Sequence, residues 1–207
     1  TMVAQETLAA VNLAGRKRLL DVGGGEGAFA CAALQATPGL EATVFDLPSV
    51  VRRAPSRFAA AGVAARARTE GGSFLTDALP GGHDVISLVR VCYDHSDDTV
   101  RALLEKCRRA LAPGGTFVLT EPMSGGERPT RSGDAYFGFY MLAMESGRAR
   151  SPERLGALMA AAGFVDIERK RVARPFITQV LTGRAGEAPG NPRESGRLQA
   201  HGFEGET

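Results

Sequence analysis

The stretch Leu19-Leu20-Asp21-Val22-Gly23-Gly24-Gly25-Glu26-Gly27 constrains the fold of this chain more than any other. A short apolar run enters a glycine-rich turn, and helical sequence follows from about Ala28. Such a strand, turn and helix let bare backbone approach a ligand at the carboxyl edge of a sheet. A tight turn without a ligand explains one or two of these glycines, but not four with Asp46 downstream. Asp46 ends the next apolar run, where a carboxylate can accept both hydroxyls of a ribose.

The rest of the chain alternates in the same way. Strand-like runs fall at 18–22, 42–46, 66–69, 84–89, 116–121, 165–169 and 176–182, separated by helical patterns. The clearest helix is 99–111, where Val100, Leu103, Leu104, Cys107 and Leu111 repeat at helical spacing. Asp97 or Asp98 is read as its cap, and Pro113-Gly114-Gly115 ends it. Ser151-Pro152-Glu153 opens another helix and Gly163 closes it. The last two strands are separated by only 170–175, too short for a right-handed crossover, so they must pair as a hairpin. The expected fold is α/β: a doubly wound, Rossmann-like sheet of seven strands, mostly parallel, with one antiparallel strand.

At 207 residues the chain suits one globular domain, and a formal charge of +2 gives no field that would draw nucleic acid. No apolar run approaches the ~18 residues of a membrane span, so no integral membrane segment is expected, while peripheral contact with a membrane stays open. Cys31, Cys92 and Cys107 form no CxxC pair, which suits a reducing, cytoplasmic setting. The three histidines, His83, His95 and His201, have no metal-ligand spacing, and no metal is expected. His83 reads as a surface turn residue.

Two nucleoside cofactors compete for the glycine turn. Gly23-x-Gly25-x-x-Ala28 loosely matches the dinucleotide fingerprint, which keeps an NAD-dependent oxidoreductase open. A diphosphate prefers a helix N-terminus without carboxylates, however, and Asp21 and Glu26 flank this turn. S-adenosyl-L-methionine carries an ammonium and a sulfonium, so the same acids favour it.

The motifs from Asp21 to Gly27, Val44-Phe45-Asp46-Leu47-Pro48, Gly71-Gly72-Ser73-Phe74 and Leu111-Ala112-Pro113-Gly114-Gly115 resemble the plant-type class of S-adenosylmethionine-dependent O-methyltransferases. Within it, Tyr93-Asp94-His95, Glu121-Pro122-Met123, the stretch 147–152 and Arg174-Pro175-Phe176-Ile177-Thr178 are similar to the bacterial hydroxycarotenoid O-methyltransferases. The resemblance spans 18–182 and implies a cofactor site in which Gly23 and Gly25 pack on the methionine part and Asp21 faces its ammonium. It implies further that Asp46 binds the ribose and Leu47 lies beside the adenine. Ser73-Phe74 stands where many relatives carry an aspartate toward the adenine amine. Arg90 stands where relatives often have a lysine that reaches the cofactor; a salt bridge at the rim is the other reading.

The same resemblance puts a histidine base just after the fourth strand, and here Tyr93 holds that position with His95 two residues on. Histidine titrates near neutrality and serves as a base directly, whereas a tyrosine needs activation or orients the acceptor hydroxyl. Water or Glu121 is a further option, Glu121 being the family's support for the base. A second supporting glutamate falls at Ala149 and is missing. The implied acceptor is a small apolar hydroxylated molecule, a carotenoid tertiary alcohol, for which positioning and desolvation outweigh base strength. Tyr136, Phe139, Tyr140 and Met144 are the expected acceptor wall. A phenolic acceptor and a non-catalytic cofactor-binding module are the alternatives. Relatives also carry an N-terminal helical dimerisation domain. Residues 1–15 read as a helical remnant or linker from it, 16–184 as the catalytic domain and 185–207 as a disordered tail, with homodimerisation expected where that domain is present.

Overall fold

The computed structural model describes residues 2–125 and 149–186. Among them, β1 Arg18–Val22, β2 Glu41–Asp46, β3 Ala67–Gly71, β4 His83–Val89, β5 Leu111–Glu121, β6 Phe164–Lys170 and β7 Gln179–Ala185 form one sheet. Its order is β3-β2-β1-β4-β5-β7-β6. The pairs from β3 to β5 are parallel, and β7 runs antiparallel between β5 and β6. This is the sheet expected from the hairpin argument. The strand order reverses between β1 and β4, so the carboxyl ends of those strands form the crevice in which α/β sheets bind ligands.

Helices cover both faces: α1 Met2–Ala10, α2 Ala28–Ala36, α3 Pro48–Val51, α4 Ala54–Ala60, α5 Asp97–Ala110 and α6 Pro152–Ala161. A strand covered on both faces is apolar at successive positions, because neighbours point opposite ways. Leu20, Ile86, Phe117 and Leu119 pack with Leu103 and Leu104 of α5 and Leu155 and Met159 of α6. Leu19, Val44, Val85 and Val118 pack with Leu34 of α2 and Phe58 of α4. Burial of these side chains contributes about 1.5–3 kcal/mol each.

Several local boundaries differ from those read in the sequence. Ser96, not Asp97 or Asp98, caps α5, accepting from the Thr99 amide at 3.3 Å. Residues 174–178 form a turn in which the Ile177 and Thr178 amides donate to the Arg174 carbonyl, so β7 starts at Gln179 rather than 176. It continues through Ala185, past the end expected at 182, and Met159 packs 3.1 Å from where a Cβ on Gly183 would stand. β5 starts at Leu111, with 112–115 spanning a register shift before the expected run from Thr116. His83 is buried at the start of β4, its ring bonded to the Pro80 carbonyl, and burial lowers its pKa.

The helix expected as a remnant is tied into this domain. The buried Glu6 carboxylate of α1 accepts from the Ala173 amide at 2.9 Å and from Arg174 at 2.6 Å, and the Thr7 and Thr120 hydroxyls lie 3.1 Å apart.

Gly27 enters α2 at φ +80°, and a Cβ there would lie 2.5 Å from Phe58 Cε1. Gly27→Ala is expected to destabilise the domain by about 1–3 kcal/mol, from left-handed strain and the clash with a core ring. Urea unfolding checks this, and an unchanged midpoint contradicts it.

Candidate active site

The glycine turn closes over a buried carboxylate. Asp21 has no exposed surface, and its Oδ1 accepts from the Ser87 hydroxyl at 2.7 Å. Its Oδ2 has no hydrogen-bond partner among the described residues. Burial and then the nearby Asp46 charge raise the Asp21 pKa to about 7, against the lowering effects of the Ser87 hydrogen bond and the Ala30 amide. A Cβ on Gly24 would sit 2.5 Å from Oδ2, so glycine is what lets the turn pass so close. Gly23 packs against Val91 and donates its amide to the Phe45 carbonyl. Gly25, at φ +60°, has open space where its side chain would be, and presents bare backbone.

Asp46 shapes the other side of the turn. Its Oδ2 accepts from the Gly25 amide at 2.8 Å and its Oδ1 from the Leu47 amide at 2.7 Å. Each oxygen keeps a lone pair for a diol. Leu47 is exposed beside it and offers apolar surface. Glu26, expected to add to the field of the turn, instead pairs with Arg53 at 3.4 Å and Arg57 at 3.0 Å. The negative field at the turn therefore comes from Asp21 and Asp46.

Ser73 and Phe74 follow β3. The Ser73 amide donates to Asp77, and its hydroxyl accepts from the Leu75 amide at 3.3 Å, leaving the hydroxyl proton to donate. Lys106 of α5 holds this turn by donating to the carbonyls of Phe74, Leu75 and Asp77. The Phe74 ring meets His95 edge-on, with centroids 5.3 Å apart, which places it against the turn after β4. Arg90 stacks on the turn that follows β4. At φ 59° it lays its guanidinium over the Tyr93 ring, 5.5 Å from the centroid. A non-glycine residue in that region is strained, and strain of this kind clusters at functional sites.

After β4 a single helical turn, Cys92–Asp94, carries Tyr93 and leads into His95. Glu121 is buried beneath it, with Oε1 accepting from the amides of Val91 at 2.8 Å and Cys92 at 2.6 Å. Burial raises its pKa to about 7, opposed by those backbone donors. Through Oε1 Glu121 holds the backbone of this turn, while its buried Oε2 has no hydrogen-bond partner among the described residues. Arg150 grips the same turn from the opposite side, donating to the carbonyls of Cys92 at 2.9 Å and His95 at 2.7 Å. Asp97 binds Arg150 and Arg154, and Asp98 binds Arg101.

Thus Asp21, Gly23, Gly25, Asp46 and Leu47 gather around the glycine turn, and Tyr93, His95 and Glu121 around the turn after β4, with Phe74 packed against His95. Tyr136, Phe139, Tyr140 and Met144 lie outside the described residues. Sequence reasoning missed Arg150, Ser87 and Lys106. Ser87 was legible as the one polar residue inside the apolar run of β4, in register with Asp21. Arg150 sits in a motif that carried the resemblance, but nothing local to it announces its distant partners.

Comparison with known proteins adds the family context. A family profile described as an O-methyltransferase domain matches residues 1–165. The demethylspheroidene O-methyltransferase of Cereibacter sphaeroides is 47% identical over 189 residues, covering 91% of this chain and 50% of that protein. The 3-hydroxy-5-methyl-1-naphthoate 3-O-methyltransferase of Streptomyces sahachiroi is 33% identical, covering 88% and 53%. Among solved structures, the mitomycin 7-O-methyltransferase MmcR aligns with a TM-score of 0.78 at 28% identity, covering 89% of this chain and 53% of that one. Human N-acetylserotonin methyltransferase, solved in complex with SAM, aligns at 0.75 and 29%, covering 88% and 51%. The chain spans about half the length of the curated relatives it matches.

The Asp21 carboxyl has a folded-state pKa raised from 3.8 to about 7. The folded state therefore holds more protons than the unfolded chain in that range, and stability falls as pH rises through it. His83, buried with a lowered pKa, acts in the opposite sense, so the comparison needs a reference. Wild type is expected to lose stability relative to Asp21→Asn between pH 5 and 7.5, the loss levelling off above that. Urea titrations across pH measure it, and a difference that is flat or rises with pH contradicts the protonation of Asp21.

Proposed function

The chain belongs to the O-methyltransferase domain family, and from that premise we propose that it binds S-adenosyl-L-methionine over the glycine turn and methylates a hydroxyl of a hydroxylated carotenoid. The observation that carries the cofactor reading is the unpartnered, buried Oδ2 of Asp21 beneath Gly24. A buried carboxylate needs a cation or a proton, and the ammonium of the methionine part supplies the cation. Asp46 with the exposed Leu47 suits a ribose and one face of an adenine. A diphosphate in the same crevice would lie against both carboxylates, which disfavours NAD. The acceptor class rests on the two demethylspheroidene O-methyltransferases, at 47% and 45% identity, as relatives.

When bound, the cofactor supplies a methyl carbon on a positively charged sulfur, open to in-line displacement by an oxygen. The chain's own residues then have to orient the acceptor, keep water out and take up its proton. We assign the orienting and proton-accepting roles to His95 and Tyr93, on the turn after β4. Glu121 supports them by holding the backbone of that turn. Tyr136, Phe139, Tyr140 and Met144 would line the apolar wall of the acceptor site. An N-terminal helical domain like those of the longer relatives would complete the acceptor site and bring two copies together. No helix among the described residues is long and apolar enough to cross a membrane, and we place the reaction in the cytoplasm.

Isothermal calorimetry with S-adenosylhomocysteine and NADH tests the cofactor. Labelled methyl transfer to hydroxylated carotenoids, flavonoid phenols and quinol precursors tests the acceptor. Binding of S-adenosylhomocysteine and transfer to the carotenoid alcohol are expected. Binding of NADH alone overturns the cofactor reading, and transfer only to phenols overturns the acceptor. Asp46→Ala is expected to weaken S-adenosylhomocysteine binding by about 1–3 kcal/mol, since it removes a charged acceptor and an anchor of the Gly25 amide. Unchanged affinity contradicts the ribose contact.

A further inference from the structure

The Arg150 side chain is 1% exposed, yet it carries a full charge. Burying a guanidinium is costly unless its N–H groups are matched by acceptors. Here Nε donates to Asp97 Oδ1 at 2.7 Å, Nη1 to the Cys92 carbonyl at 2.9 Å and Nη2 to the His95 carbonyl at 2.7 Å. These three partners fall within six residues of chain, from the start of the turn to the first residue of α5. Docking α6 does not require this arrangement, because Leu155, Leu158 and Met159 already bury its apolar face. What the arginine adds is control over one stretch of backbone. Glu121 takes the amides of Val91 and Cys92, while Arg150 takes the carbonyls of Cys92 and His95. A buried carboxyl and a buried guanidinium thus hold this stretch of backbone, one through its amides and the other through its carbonyls.

We propose that Arg150 is a positioning residue for methyl transfer: by fixing the carbonyls of Cys92 and His95, it sets where the side chains of Tyr93 and His95 begin. This rests on the reading of that turn as the catalytic one. Asp97 is the anchor of the device, joining Arg150 to Arg154 at the start of α6. A lysine at 150 keeps the charge but replaces a planar fork with a single ammonium, which cannot match three divergent acceptors. The fork geometry, more than the charge, is what the turn needs.

The test compares wild type with R150K and D97N in the whole protein, using labelled methyl transfer to a hydroxylated carotenoid, calorimetry with S-adenosylhomocysteine, and NMR of the His95 ring. Only three histidines are present, so His95 can be assigned with a His95→Gln control. In R150K, kcat is expected to fall about tenfold or more, as misplacement of a reacting group does. S-adenosylhomocysteine affinity should stay within about twofold, since the cofactor end of the crevice is untouched. The contact between the His95 and Phe74 rings should weaken in step with kcat, and D97N should fall between R150K and wild type. An unchanged kcat with an unchanged ring contact overturns the proposal. So does a loss of S-adenosylhomocysteine affinity parallel to the loss of kcat, which marks a general structural role. Should R150K fail to fold, D97N is read by the same criteria. If wild type methylates no carotenoid, the acceptor reading fails, and the His95–Phe74 contact alone decides the role of Arg150.

Discussion

A carboxylate held out of water with one oxygen unpaired is the constraint around which this crevice is organised. Asp21 lies in β1, flanked by β2 and β4, and its burial follows from packing on both faces of that strand. Ser87 meets one oxygen from the neighbouring strand, and the other faces the turn. The turn must then run close enough to cover it, which excludes a side chain at Gly24. It must also bend toward Asp46, which takes the amide of Gly25. Charge and backbone shape are therefore two consequences of one placement. A polar atom kept unsatisfied in a core is costly, and ligand binding is a physical reason for a fold to retain one.

The second half of the site follows a different logic. Where Asp21 offers charge, Glu121 and Arg150 spend theirs on backbone, one on amides and the other on carbonyls. The strand order sets these two halves side by side, since β1 and β4 are neighbours at the switch point. Phe74 meets His95 edge-on, while Lys106 holds the turn that carries Phe74.

Short-range chemistry was the legible part of this chain. The run into Gly23, the run ending in Asp46 and the short link between β6 and β7 each announce a local geometry, and together they led to the correct sheet. Features decided by partners far along the chain were not legible. Glu26 looked like part of the field of the turn until Arg53 and Arg57 took it. His83 looked like a surface residue because nothing nearby reveals that the start of β4 is covered. Ser96 competes with two aspartates for one cap, and Asp97 is drawn off by Arg150 and Arg154. Arg150 itself meets carbonyls 58 and 55 positions away. Periodicity and turn chemistry do not encode such pairings, and only the assembled sheet brings them together.

The central claim is that Asp21 exchanges a proton for a cation when the cofactor binds. Calorimetry of S-adenosylhomocysteine binding near pH 7, repeated in buffers of different ionisation enthalpy, counts the protons released. With its ligand-free pKa raised to about 7, Asp21 is predicted to release protons on binding, and Asp21→Asn to release fewer. No release in wild type, or the same release from Asp21→Asn, would contradict it.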